Sequence, residues 1–319
     1  MAKSVLDDPR FHNEDAAFAY VEAQLWPDGP TCPHCGNADA SKIGRLSGKT
    51  TRAGLRKCYE CRKPFTVRMG TIFEDSHLPL HLWLQAIHLM CASKKGISTR
   101  QLQRMLGCGM KTAWHLGHRI RHTMGPTPDA GPLGGSGKTV EADETELAKS
   151  RKTRRPEGHK RGDNVVVMSL VERGGAIRSM TLDHSAMGVI YKHVHADSRL
   201  VTDKAAHYKF PPVAKHESVD HSKFEWVRGD VHTNTLEGFF SVFKRGLVGV
   251  YQHMSEAHLD RYLAEFDFRR NTRAKLGIDD VEREAIAVRS AKGKRLTYQT
   301  TLGETQAQAE ADAQLGGTF

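Results

Sequence analysis

The chain has 319 residues, more than one compact domain usually holds, so two or three units are expected. Its 47 Lys+Arg outweigh 37 Asp+Glu to give +10 with His neutral, a balance that favours a polyanionic partner, nucleic acid first. There is no run of about 18 or more apolar residues and no apolar core in Met1 to Arg10, which argues against a membrane span or secretory signal and for a cytosolic chain whose six cysteines are thiols or metal ligands rather than disulfides.

Between residues 14 and 25, Ala17, Phe18, Val21 and Leu25 recur at helical spacing, with Asn13 or Asp15 able to cap the segment. Trp26-Pro27-Asp28-Gly29-Pro30 ends it. Cys32-Pro33-His34-Cys35 follows and, after twenty-two intervening residues, Cys58-Tyr59-Glu60-Cys61. Two Cys-x-x-Cys pairs at that separation supply four thiolates to one tetrahedral zinc. Four protein ligands leave no open position, so an ion held by Cys32, Cys35, Cys58 and Cys61 is structural. The residues between the pairs are expected to form a zinc ribbon turning at Gly44, Gly48 and Gly54. His34 is expected on the surface. Arg45, Lys49, Arg52, Arg56 and Lys57 make the ribbon basic and suited to phosphate contacts.

Residues 78 to 92, with Leu80, Trp83, Ile87 and Met90, predict a largely buried helix into which Cys91 packs as a small hydrophobe. Ser98 or Thr99 caps a short helix carrying Leu102, Met105 and Leu106. Gly107-Cys108-Gly109 turns into a third helix, Lys111 to Met124, with Trp114, Leu116 and Ile120 apolar and Lys111, His115, His118, Arg119, Arg121 and His122 polar. Helix, glycine turn and basic helix make the helix-turn-helix pattern, whose second helix enters the DNA major groove. Gly125 to Gly137, with three prolines and five glycines, reads as a linker.

The pattern then turns to β. Thr139 to Asp143 reads as a strand ending in acid. Lys149 to Asp163, with seven Lys/Arg and two acids, is a basic loop suited to DNA backbone contact. Asn164 to Val171 is a buried strand turning through Arg173-Gly174-Gly175 into Ile177 to Leu182. A helix from Met187 to His195, a strand Arg199 to Asp203, a helical turn Ala205 to Lys209 and a strand Val219 to Val227 follow. From His232 to Lys244 a helix is expected, capped by Thr233 or Asn234, with Phe239, Phe240 and Phe243 buried and Asn234, Glu237 and Lys244 sharing another face. A last helix spans Ser255 to Arg269, followed by the basic exit Arg269-Arg270-Asn271-Thr272-Arg273, a candidate DNA contact. The tail after about residue 300 is rich in Gln, Ala, Glu and Gly and is expected to be disordered. The expected segments are 1–70 (helix and ribbon), 71–125 (helix-turn-helix-like), 126–137 (linker), 138–285 (α/β unit) and 286–319 (tail).

Three strands, a helix, an acid-ended strand, a further strand and a helix bearing an acid match the RNase H-like α/β fold. There the first and fourth strands adjoin, which would set Asp143 beside Asp203 and bring Glu237 alongside. Three converging carboxylates repel one another unless a cation joins them, and hard oxygen ligands with open positions suit Mg²⁺ or Mn²⁺. Two such ions about 3.5–4 Å apart serve phosphodiester chemistry. His216, His221 and His232 are further candidates for DNA orientation or proton transfer.

Val140-Glu141-Ala142-Asp143-Glu144-Thr145, Thr202-Asp203, His232 to Phe240 and Lys244-Arg245-Gly246 resemble the motifs of bacterial insertion-sequence transposases of the DDE class, more narrowly the ISXO-like group with its N-terminal zinc ribbon. The resemblance runs from about residue 15 to 275. Thirty-three residues separate Asp203 from Glu237, and Lys244 falls seven beyond the glutamate. The resemblance implies that Asp143 and Asp203 are metal ligands, that Glu237 is the third acid and that Lys244 contacts DNA near the scissile phosphate. Asn234 is the alternative third ligand, and Glu144 competes with Asp143 because neighbours on a strand face opposite sides. It further implies two Mg²⁺ or Mn²⁺ ions, double-stranded DNA (element ends and target) as partner, and binding of terminal inverted repeats followed by strand cleavage and strand transfer. A homodimer or larger synaptic complex at the nucleoid would do this work.

Overall fold

The computed structural model describes residues 4–126, 130–147, 164–182, 185–204, 208 and 211–297. The basic loop 149–163, most of the turn 205–209 and the tail beyond residue 300 lie outside the described residues. None of the described helices is long and apolar enough to cross a membrane.

Helix α1 (Glu14–Leu25) begins where Asn13 accepts a hydrogen bond from the Ala16 N–H at 2.9 Å. Strands β1 (Ile43–Arg45), β2 (Arg56–Cys58) and β3 (Pro64–Phe65) form a small antiparallel sheet. The Arg56 guanidinium grips both carboxylate oxygens of Glu22, at 3.2 and 2.7 Å, and so docks this sheet on α1. Gly54 is needed there: its φ is +66°, and a Cβ would lie 2.0 Å from the Phe18 ring.

Helices α2 (Leu80–Ala92), α3 (Thr99–Leu106) and α4 (Met110–Met124) follow. Pro79 precedes α2 and gives no side-chain cap; Glu14 of α1 replaces it, accepting from Leu80 N–H at 2.8 Å and His81 N–H at 3.2 Å. One apolar cluster joins Phe11, α1, these three helices and residues Ala287, Val288 and Ala291 near the far end of the chain. Packing therefore does not divide at residue 70, and helix α8 (Asp280–Arg289), which the expected boundary at 285 cuts, belongs to this helical layer.

The helix-turn-helix pattern is present, with Gly107 left-handed at the end of α3, but its basic face is not free for a groove. His118, Arg119 and Arg121 are buried. Arg121 donates to Glu265 at 2.7 Å between two side chains with almost no exposure. Helical spacing alone cannot tell a charged face in water from one paired inside, and the partner lies 144 residues away. Arg100, Arg104 and Lys111 remain exposed.

The second sheet has the order β6-β5-β4-β7-β8, from β4 (Thr139–Leu147), β5 (Val165–Glu172), β6 (Ile177–Thr181), β7 (Arg199–Asp203) and β8 (Lys215–Val219). The first and fourth of these strands adjoin and run parallel, while β5 is antiparallel to both its neighbours. Helix α5 (Ala186–His193) packs on one face with Val140, Ala142, Met168, Leu170 and Leu200. Helices α6 (Asn234–Gly246) and α7 (Leu259–Asn271) cover the other with Val165, Val167, Val171 and Ile177, using Leu236, Phe239, Phe240 and Phe243 of α6. Burying that apolar face is the main driving force for holding α6 on the sheet.

Edge strand β6 is closed by side chains of α7. Asn271 accepts from Ile177 N–H at 2.7 Å, Asp267 from Ser179 N–H at 2.6 Å and Asp260 from Thr181 N–H at 2.9 Å. Alternate residues of the strand are satisfied from three points along the helix, so no free donor row is left on this side. Two further differences stand out. The expected linker ends inside the sheet domain: Leu133 is buried and its N–H donates to His193 O at 2.8 Å. The strand expected at Val219 to Val227 lies earlier, at Lys215–Val219, because Asp220 caps a tight turn through the Ser222 N–H and hydroxyl, leaving Phe224 at φ 60° and 83% exposed.

Candidate active site

Parallel pairing aligns Glu141 of β4 with Val201 of β7. Two residues further along these strands stand Asp143 and Asp203, the last residue of β7. Across β5, Asp143 pairs with Ser169 and Glu141 with Val171, a residue of the α6/α7 cluster. Alternation therefore turns Glu141 and Asp143 toward α6, and Glu144 away from it. Glu144 accepts a hydrogen bond from the Tyr208 hydroxyl at 2.7 Å on the opposite face.

Asp143 is half-buried and accepts from the Glu144 N–H at 2.8 Å. Burial pushes its carboxyl up to about 7, and the charges of Asp203, Glu144 and Glu237 add to that rise. Carboxylates raising one another's affinity for protons are the electrostatic condition that a divalent cation relieves, so the donor set fits a hard metal ion. The three acids are not drawn as close as the cysteines: among the described residues, only the four cysteines form a group of three or more ligating side chains within 4.8 Å.

Glu237 and Lys244 are exposed on α6, beside its buried aromatic face. The start of α6 is capped by neither Thr233 nor Asn234. Thr233 makes no side-chain cap, and its buried hydroxyl has no partner. Glu141 caps instead: its fully buried carboxylate accepts from Thr235 N–H at 3.1 Å and the Thr235 hydroxyl at 2.9 Å. Arg173 donates to the same carboxylate at 2.7 Å. Residue reading missed Glu141; its one signal was an acid two before Asp143, on the same strand face.

Asn234, the first residue of α6, is exposed and lines a cavity with Thr235 and Gly238. Among the histidines, His216 Nε2 lies 2.9 Å from the Thr202 hydroxyl, His221 stacks on Trp226 with centroids 4.6 Å apart, and His232 sits 3.7 Å from Glu141. Their nearest partners are structural.

In the small sheet, Cys32 Sγ and Cys61 Sγ are 3.7 Å apart, and Cys35 Sγ and Cys58 Sγ 3.8 Å. A tetrahedron with metal–sulfur bonds of about 2.3 Å has edges of about 3.8 Å, whereas a disulfide would need about 2.05 Å. The cluster is thus already shaped for a tetrahedral ion. Backbone N–H groups, that of Cys61 foremost, hold the Cys58 thiol down to about 6, whereas desolvation and the three neighbouring thiols push Cys35 up to about 12, so the four do not all ionise without a cation between them. His34 is exposed and outside this group, near Pro64 O; Cys91 is buried and Cys108 half-buried, away from it.

Residues 132–271 match the model of the ISXO2-like transposase domain, and residues 12–64 match that of the transposase zinc-ribbon domain. The chain is also similar to the "Uncharacterized protein in transposable element ISH50" of Halobacterium salinarum, 27% identical over 279 residues, covering 81% of this chain and 92% of the relative.

Proposed function

We propose that this chain, whose residues 132–271 and 12–64 match the ISXO2-like transposase domain and the transposase zinc-ribbon domain, binds the terminal inverted repeats of its element, cleaves a strand at each end and joins the freed 3′-hydroxyl to target DNA. Asp143, Asp203 and Glu237 are the residues that would hold two divalent ions, Mg²⁺ or Mn²⁺. Those ions would polarise the scissile phosphate and lower the pKa of the attacking water or 3′-hydroxyl. Lys244, two turns beyond Glu237, neutralises a strand phosphate beside the reacting one. Glu141 touches no DNA; it fixes the start of α6 and hence where Glu237 and Lys244 stand. Both reactions are phosphoryl transfers, so one site serves both with no covalent protein intermediate.

The observation that supports this reading most is the placing of Asp143, in the middle of β4, and Asp203, the last residue of β7, each two residues beyond the Glu141–Val201 pair of these adjoining parallel strands, with Glu237 among the charges that raise Asp143's carboxyl. Glu237 is taken over Asn234 as third ligand because a carboxylate binds Mg²⁺ better than a neutral amide. Cys32, Cys35, Cys58 and Cys61 hold one structural Zn²⁺. Repeat recognition is assigned to residues 12–125, through Lys49 and Arg52 of the ribbon and the exposed Arg100, Arg104 and Lys111 of the helices. Residues 130–271 carry the chemistry. Bringing two element ends together calls for at least a dimer, acting on nucleoid DNA in the cytoplasm.

The test is a labelled element-end duplex incubated with supercoiled plasmid and Mg²⁺. Joining of the labelled 3′ end to plasmid is expected. Cleavage without joining would reassign the protein as a nuclease, and binding without either as a regulator.

A further inference from the structure

A cavity of 830 Å³ lies between the last turn of α2, one side of α6, the end of α7 and the start of α8. The chemistry above makes no use of it. Its walls carry Lys94, Arg269, Arg270, Arg273, Lys275 and Arg283. Against these six cations stands one lining acid, Asp280, already paired with Arg283. Arg269 is only 9% exposed. One arm of its guanidinium meets Glu265, a carboxylate shared with Arg121, but its Nε and Nη2 are buried without a partner, as is Arg273 Nε. Guanidinium groups do not shed their charge, and buried donors are ordinarily satisfied. Six lysine and arginine cations against one paired acid around an open cavity is the chemistry that recognises phosphate oxygens.

The position of the cavity selects among phosphates. Asn234 and Gly238 line it, and Glu237 lies between them in the same turn of α6, so the cavity and the three acids flank one helix. A helix is about 10–12 Å across, and successive phosphates of a strand, which wind around the duplex axis, lie farther apart than its axial rise of about 3.4 Å. We propose that this cavity is a phosphate-binding subsite, taking a backbone phosphodiester of the cleaved strand about two nucleotides from the phosphate held at Asp143 and Asp203. The assignment rests on the transposase reading and gives the basic exit Arg269 to Arg273 a defined place on the DNA, through Arg270 and Arg273.

The test uses the full-length, zinc-loaded chain and an element-end duplex, with affinity measured from about 50 to 300 mM salt. Arg270 and Arg273 are partly exposed, so the doubly substituted Arg270→Ala/Arg273→Ala chain is compared with Arg270→Lys/Arg273→Lys. The alanine pair is expected to reduce the slope of log K against log salt by about 1–2, and the lysine pair to restore most of it. Methylphosphonates scanned along the cleaved strand give a readout on unaltered protein. A loss of affinity confined to about two nucleotides from the cleavage point is expected, and the alanine pair should be insensitive to that linkage. An unchanged slope, or no such position in the scan, overturns the proposal. So does thermal stabilisation by inorganic pyrophosphate that the alanine pair loses while its DNA slope stays unchanged, because the site would then serve a free phosphate compound. Wild-type cleavage and its loss in Asp203→Asn are followed in parallel. If both hold while the slope is unchanged, only the subsite falls; if wild-type protein neither binds nor cleaves the duplex, the transposase reading itself falls.

Discussion

Glu141 and Thr235 are joined by two hydrogen bonds, 3.1 Å from the Thr235 N–H and 2.9 Å from its hydroxyl, with the carboxylate fully buried in the middle strand of the sheet. The bond ties the strand of Asp143 to the helix of Glu237, and the favourable field at a helix N-terminus strengthens it. Glu141→Ala would leave Arg173 without its carboxylate and α6 without its cap, and should destabilise the protein by about 3 kcal/mol. Glu141→Gln keeps an acceptor for Thr235 and should cost about half as much. Chemical denaturation of both variants measures this, and both should lose more cleavage activity than DNA affinity, since α6 would no longer be fixed.

The two ends of α4 should respond in opposite ways. Arg121→Met removes a buried partner of Glu265 and should cost on the order of 3 kcal/mol of stability while leaving the salt dependence of DNA binding unchanged. Lys111→Ala, at an exposed position, should change stability by less than about 0.5 kcal/mol and reduce the salt slope by about 1. Thermal melts and salt titrations of the two variants separate these roles.

Asp267 makes stability depend on pH. Burial raises its carboxyl to about 7, although Ser179 donates to it twice. The folded chain therefore holds this proton more tightly than the unfolded chain. Its contribution is fully present below about pH 4 and is lost as pH rises through about 7, a swing on the order of 4 kcal/mol at most. Melting temperatures between about pH 5 and 8 should fall with pH in the wild type, and fall less steeply in Asp267→Asn.

Metal analysis should find about one zinc per chain, in line with a closed four-thiolate site. Cys58→Ser should lose that ion. Residues 32 to 65 should then exchange their amide hydrogens quickly, while the second sheet stays protected, because the apolar clusters of that sheet share no residue with the ribbon.

Much of this was readable from local pattern. The paired cysteines, the strand Arg199–Asp203 and the aromatic face of α6 each follow from spacing within a few residues. What could not be read was supplied from far along the chain. Glu14 caps α2 from 66 residues away and Glu141 caps α6 from 94, so no capping signal stands beside either helix. Arg121 looked like part of a DNA-reading face because its partner, Glu265, lies on another helix. At the candidate site, strand order and alternation separate Asp143 from Glu144; the sequence left both open because only pairing with β5 shows which face α6 covers.

Metal-dependent cleavage of one labelled element-end duplex, by the wild type and by Asp203→Asn, Glu237→Gln and Asn234→Ala, tests the central claim most directly. Asp203→Asn and Glu237→Gln should lose cleavage in Mg²⁺ by roughly three orders of magnitude with binding to the duplex nearly intact, and Asn234→Ala should retain most of it. Normal cleavage by Asp203→Asn or Glu237→Gln would contradict the assignment of these acids.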